Sequence, residues 1–257
     1  MMHAMAPAFD YADRVVLVTG GTKGIGRVIG ERFADAGATV VVCGRNAPEQ
    51  LGAAAFVACD VRDPDQVGAM VEQIVTTHGR LDVVVNNAGG SPSAEAATAS
   101  SRFSEAIIKL NLLGPLFVAQ AANHVMQSQD EGGSIVNIAS ISGLRPSPNT
   151  AAYGAAKAGL LNLTQTLAME WAPKVRVNAV TAGLIETELA HLFYGDEAAI
   201  ERVAATVPMG RMGAPDDIAS ACLFLASPAA GFVTGANLVV HGGGERPPYI
   251  EAVQSSG

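Results

Sequence analysis

The stretch Arg14-Val15-Val16-Leu17-Val18-Thr19-Gly20-Gly21-Thr22-Lys23-Gly24-Ile25-Gly26 decides the fold. A short β-branched run closes in glycines. From Gly24 to Ala36, apolar residues then fall at Ile25, Val28, Ile29, Phe33 and Ala36, on one face of a helix. Strand, glycine turn and amphipathic helix are the context in which a glycine loop cradles a dinucleotide pyrophosphate. The glycines let phosphate oxygens approach the backbone, and the helix start offers free N–H groups and the positive end of its dipole. The spacing is Thr-Gly-x-x-x-Gly-x-Gly rather than Gly-x-Gly-x-x-Gly, and Lys23 followed by Gly24 does not fit a Walker loop. Gly20, Thr22, Lys23, Gly24, Ile25 and Gly26 are therefore candidate cofactor-binding positions.

Outward from this unit, strand-like and helix-like segments alternate to the end of the chain. Strands are expected at Arg14–Thr19, Ala38–Cys43, Ala55–Cys59, Leu81–Val85, Ser134–Ala139, Val175–Val180 and Asn237–Val240. Helices are expected at Gly24–Ala36, Pro64–His78, Ser101–Gln127, Ala151–Ala172 and Pro215–Ala226, the second capped by Asp63 with Pro64 in its first turn. The pattern predicts the α/β class: a single doubly wound Rossmann-type domain, with a seven-stranded, mostly parallel sheet and helices on both faces. No linker or repeat divides it. One domain is expected over residues 1–257, with a core of about 14–243 and a substrate lid over 183–213.

Composition narrows the partners. Of the 257 residues 49% are hydrophobic but only 5% aromatic, which suits β-branched strands buried on both faces. A net charge of −8 without a long basic run argues against nucleic acid. Cys43, Cys59 and Cys222 lack the spacing of a metal site and do not make a disulfide framework, so no metal is expected and the thiols read as small buried hydrophobes. The first ten residues resemble no targeting peptide, and no run approaches a bilayer-spanning apolar stretch, so the expected location is cytoplasmic.

The cofactor's identity turns on the end of the second strand. An NAD site places an acid there for the ribose 2′-hydroxyl. Here the strand ends Val42-Cys43-Gly44-Arg45, and the next acid is Glu49. Arg45 offers a guanidinium suited to a 2′-phosphate, and Lys23 adds a second positive charge. The expectation is NADP(H), with NAD as the alternative.

The chemistry rests on Tyr153 and Lys157, four apart near the start of a helix and so on one face. A free tyrosine, with a pKa of about 10, is a poor acid–base group, and a nearby ammonium is expected to lower it. Ser140 ends the fifth strand at the carboxyl edge of the sheet, where its hydroxyl could hold a carbonyl oxygen.

With these residues assembled, the chain resembles the short-chain dehydrogenase/reductase family from about Arg14 to Gly243. Thr19 through Gly26 matches the family's glycine motif, and Asp60-Val61 its adenine-side pair. Asn86-Asn87-Ala88-Gly89 matches its Asn-Asn-Ala-Gly signature, and Gly183-Leu184-Ile185-Glu186-Thr187 its nicotinamide loop. The resemblance implies a catalytic tetrad of Asn111, Ser140, Tyr153 and Lys157, with Asn111 bending the first long helix and holding a relay water. It adds Asp60, Val61, Asn87, Ala88, Gly89, Gly183, Ile185 and Thr187 to the cofactor-binding set, along with Tyr153 and Lys157. It further implies a homotetramer through the two long helices. The chain departs from the family at Ala182, where proline is usual, and at His241, where aspartate is frequent.

The sequence therefore reads as an NADP(H)-dependent oxidoreductase moving hydride between the nicotinamide and a small-molecule carbonyl or secondary alcohol. A non-catalytic cofactor-binding regulatory protein is the reading from another class, and no hydrolase motif is found. Apolar residues at Leu189, Leu192, Phe193 and Tyr194 in the expected lid suggest a substrate with a hydrophobic part.

Overall fold

The computed structural model describes residues 9–49, 52–188 and 190–247. Leu189 of the expected lid, the first eight residues and the tail from Pro248 lie outside them.

Seven strands form one sheet: β1 (Val15–Thr19), β2 (Thr39–Gly44), β3 (Ala55–Ala58), β4 (Val83–Asn86), β5 (Gly133–Ser140), β6 (Val175–Ala182) and β7 (Asn237–Val240). Their order is β3-β2-β1-β4-β5-β6-β7, and every pairing is parallel, so the expected mostly parallel sheet is wholly so. The reason is visible in β1, where both faces are covered. Val16 and Val18 join one core layer with Ile29 and Phe33 of α1 (Gly24–Asp35) and with Ile218 and Cys222 of α8 (Pro215–Ala226). Val15 and Leu17 join the opposite layer with Met70 and Ile74 of α2 (Pro64–His78) and with Val118 and Ala122 of α4 (Gly114–Ser128). Each such side chain taken fully from water contributes about 1.5–3 kcal/mol before conformational entropy is set against it. The α2 helix starts as expected: the Asp63 carboxylate accepts from the N–H groups of Asp65 and Gln66.

The first long helix is not continuous. It runs as α3 (Ser101–Ile108), a π-helical turn at Lys109–Leu113, and α4. A π turn widens the helix by one residue and is a common device at functional sites. The whole run Ser101–Ser128 is long and apolar enough to cross a membrane by length and composition, contrary to the reading of the sequence. Its apolar face is instead spent on the sheet, through Val118, Ala119, Ala122 and Met126. The second long helix is α5 (Ala151–Trp171). The irregular 183–213 segment carries two further helices, α6 (His191–Tyr194) and α7 (Glu197–Thr206).

At the far end of the sheet, the half-buried Arg176 guanidinium of β6 donates to the carbonyls of Leu225 (2.8 Å), Val233 (3.1 Å), Ala226 (3.3 Å) and Ser227 (3.4 Å). These include the unpaired carbonyls at the end of α8, where a cation also meets the negative end of the dipole.

Candidate active site

The carboxyl ends of the strands open into one cleft of about 1120 Å³. It lies over the junction of β1 and β4, where the strand order reverses direction, the place where open α/β sheets bind ligands. Every cofactor-binding and catalytic position expected from the sequence lines this cleft except Asn111, which is fully buried behind it.

The glycine loop is fixed from beneath. Thr19 Oγ1 accepts from the N–H groups of Asn87 and Ala88 at 3.0 Å, and Asn87 Nδ2 donates to the carbonyls of Thr19 (3.0 Å) and Gly20 (3.1 Å). A Cβ on Gly26 would stand 2.3 Å from Asn87 Nδ2, so the close approach of loop and signature requires glycine there. Gly20 turns the chain at φ +64°, a conformation that suits glycine. At the first turn of α1, the Gly24 N–H donates to the Glu188 carboxylate at 2.8 Å. Lys23, the N-cap residue, provides no side-chain cap of its own. Burial pushes the Glu188 carboxyl up, but the Gly24 N–H, with Lys23 and Arg27, outweighs it and holds the group below the usual carboxylate range. The loop thus already receives an anionic oxygen, which is the fit a cofactor phosphate needs.

At the other end, a Cβ on Gly44 would lie 3.5 Å from Thr22 Cγ2, so the end of β2 abuts the glycine loop. Arg45, next in the chain, is exposed, and among the described residues its guanidinium forms no ion pair within 4 Å. Asp60 is gripped by Arg62, whose Nε lies 2.9 and 3.1 Å from the two carboxylate oxygens, and Arg62, with Arg45 adding, holds the carboxyl below its usual range. Arg62 lines the cleft and was not anticipated; nothing in its sequence neighbourhood marks it.

Ser140, Tyr153, Lys157 and Asn111 converge at the middle. Ser140 is the last residue of β5; its hydroxyl accepts from the Ser142 N–H at 3.2 Å and lies near enough to the Tyr153 phenol to favour its ionised form. Lys157, one turn along α5, places Nζ 5.7 Å from the Tyr153 ring centre and donates to the Ile138 carbonyl at 2.7 Å. Asn111 sits in the π turn. Its amide accepts from the Gly90 N–H (2.8 Å) and donates to the carbonyls of Gly90 (2.9 Å) and Ile107 (3.0 Å). A Cβ on Gly89 would meet Asn111 Oδ1 at 2.7 Å and Lys157 Nζ at 3.3 Å, so these two groups flank one glycine.

The electrostatics differ from the sequence expectation. Burial raises the Tyr153 phenol, and the Ser140 hydroxyl only partly offsets this. Burial lowers the Lys157 ammonium to about 8. The expected lowering of the tyrosine by the lysine is not found, because desolvation outweighs an ammonium that is itself depressed and turned to a carbonyl.

The outer rim holds an ion pair between Arg145, after β5, and Glu245, one hundred residues on. Neither Arg145, Glu245 nor Glu188 was singled out from the sequence, since contacts at such separation leave no local pattern.

A family model described as enoyl-(acyl carrier protein) reductase matches residues 20–245. The chain belongs to the short-chain dehydrogenase/reductase family. As a member it is an oxidoreductase of CH–OH and C=O groups that uses a nicotinamide cofactor. Among relatives, the chain is 39% identical over 255 residues to L-fucose dehydrogenase of Oryctolagus cuniculus, covering 94% of this chain and 88% of that protein. It is 37% identical over 242 residues to 3-oxoacyl-[acyl-carrier-protein] reductase of Thermotoga maritima, covering 90% and 97%. Among solved structures, the ligand-free aldohexose dehydrogenase of Thermoplasma acidophilum superposes with a TM-score of 0.85 at 37% identity, covering 90% of this chain and 94% of that one.

Proposed function

We propose that this short-chain dehydrogenase/reductase is NADP(H)-dependent, with Tyr153 as the general acid/base for a carbonyl or secondary alcohol. The observation that carries the chemistry is the meeting of Ser140, Tyr153 and Lys157 in the cleft that also holds the glycine loop. When bound, the nicotinamide supplies or accepts the hydride.

The chain's own residues do the rest. Thr22, Lys23 and the glycines hold the phosphates, Asp60 and Val61 flank the base, and Asn87, Ala88 and Gly89 support the ribose side. Gly183, Ile185 and Thr187 close over the nicotinamide amide. Ser140 holds the substrate oxygen beside the Tyr153 hydroxyl, which gives a proton to a developing alkoxide or removes one from an alcohol. Lys157 steadies the ribose and, when protonated, the phenolate. Asn111 holds Gly90 and shapes the proton path behind Lys157.

The preference for NADP(H) is supported by Arg45, exposed at the end of β2 with no ion pair among the described residues, and by Lys23 in the loop. A guanidinium left unpaired is available for bidentate contact with a phosphate. The reading includes assembly as a homotetramer through the Ser101–Ser128 and Ala151–Trp171 helices, where Met169 is 85% exposed. It also includes a cytoplasmic location, consistent with three buried free thiols.

A screen of NADPH and NADH oxidation against ketones, aldehydes, acyl thioesters and quinones tests the reading. Turnover with a higher kcat/KM for NADPH is expected. A clear NADH preference overturns the cofactor assignment, and tight cofactor binding with no turnover of any substrate favours a regulatory protein.

A further inference from the structure

The wall of the cleft beyond Ser140 carries a group of polar side chains, among them Ser142, Arg145, Ser147 and Thr150. Arg145 lines the cleft and forms an ion pair with Glu245, at 40% and 27% side-chain exposure. Burial raises the phenol of Tyr194, and the charges of Glu245 and Tyr153 raise it further while Arg145 opposes them. Arg145, Tyr194 and the proposed acid/base Tyr153 line the same cleft, with Glu245 paired to Arg145. On the same wall, Ser142 donates to Ser147 Oγ at 3.2 Å, and Thr150 donates to it at 2.8 Å. A bound substrate must cover this array.

The cost of covering it selects the substrate. A charged pair shielded from water by a hydrocarbon loses hydration without replacement, and a buried polar group left unpaired carries a large penalty. An anionic substrate would compete with Glu245 for the Arg145 guanidinium. A neutral molecule bearing several hydroxyls can donate to the carboxylate, accept from the guanidinium and leave the pair intact. We infer that this enzyme takes a polyhydroxylated substrate, an aldose or polyol, and that the Arg145–Glu245 pair reads the hydroxyls beyond the reacting carbon.

The inference rests on the proposed function. In the oxidising direction one C–H and one O–H bond of the reacting carbinol break and a C=O bond forms. The hydride reduces the oxidised nicotinamide, and the proton leaves through Tyr153. The other hydroxyls are unchanged and serve recognition only. Arg145 is thus a specificity residue with no part in proton or hydride transfer.

The test is steady-state oxidation with NADP+ of an aldohexose, a pentitol, glycerol and cyclohexanol, with a 3-oxoacyl thioester tried in reduction. A site that hydrogen-bonds hydroxyls should favour the best polyhydroxylated substrate over cyclohexanol by about 100-fold or more in kcat/KM, within the range such sites reach. Arg145→Met should raise KM for that substrate by about tenfold with kcat within about threefold, the pattern of lost ground-state binding, with no matching rise in KM for cyclohexanol. Glu245→Gln should raise the same KM, which a purely structural role for Arg145 would not require. Preference for cyclohexanol or the thioester, or an equal loss on every substrate in Arg145→Met, overturns this inference and leaves the proposed function standing. No turnover of any alcohol or carbonyl, with cofactor binding intact by fluorescence, overturns the proposed function and this inference with it.

Discussion

The Glu188 carboxylate accepts a hydrogen bond from the Gly24 N–H at 2.8 Å, which puts a protein anion at the first turn of α1. That turn is where a cofactor phosphate would find its donors, so the two anions compete. Removing the charge should tighten cofactor binding. An anion at a helix start is worth about 0.3–1 kcal/mol, so Glu188→Gln should lower the NADPH Kd by roughly two- to fivefold. Fluorescence titration measures it, and weaker binding would show that Glu188 supports the cofactor instead of yielding to it.

Arg45 should decide between the two nicotinamide cofactors. A charge-assisted contact to phosphate is worth about 1.5–3 kcal/mol. Arg45→Ala should therefore cut kcat/KM for NADPH by about tenfold or more while leaving NADH within about twofold. Equal loss on both would assign Arg45 to a feature the cofactors share.

Lys157 gives the cofactor-free protein a defined dependence on pH. Its ammonium is lowered by burial from the ordinary lysine value of 10.5 to about 8. Between these values the unfolded chain binds the proton and the folded chain does not, so this group makes stability rise from about pH 8 to 10.5. Below pH 8 the buried charge costs on the order of 3 kcal/mol relative to the alkaline limit. Lys157→Met should thus be stabilised relative to wild type at pH 7, and the gap should narrow as pH approaches 10.5. Urea unfolding of both proteins at several pH values reads this directly, and a gap that does not change with pH would place the lysine's charge in solvent.

The sheet was legible in the sequence because its cause is local. Val15–Val18 bury every side chain, and such runs closed by glycine recur along the chain. The cradle was legible because Gly20 and Gly26 answer to backbone geometry that only glycine meets. The π turn around Asn111 was not, since Lys109-Leu110-Asn111-Leu112-Leu113 continues the helical pattern. The buried amide in this turn is held by Gly90, twenty-one residues away, a partner that spacing does not reveal. Glu188 reaches Gly24 across 164 residues and Arg145 reaches Glu245 across one hundred, distances at which spacing carries no signal.

Arg176 should matter to stability without touching chemistry. Its guanidinium serves four carbonyls around the end of α8 from a half-buried position. Arg176→Leu strands those acceptors, and the loss should be about 2–4 kcal/mol, at the upper end for bonds involving a charged group. Chemical denaturation gives the value, with kcat near wild type for the protein that folds. A change below about 0.5 kcal/mol would mean that water replaces the guanidinium at no cost.

The account stands or falls on the tyrosine. With the best substrate found in the NADPH-linked screen, Tyr153→Phe removes only the hydroxyl that shares the cleft with Ser140 and Lys157. General acid–base catalysis contributes typically 10²–10⁴-fold, so kcat should fall by about that factor while the NADPH Kd stays within about twofold. Turnover retained near the wild-type rate in Tyr153→Phe would contradict the assignment of the proton to this residue.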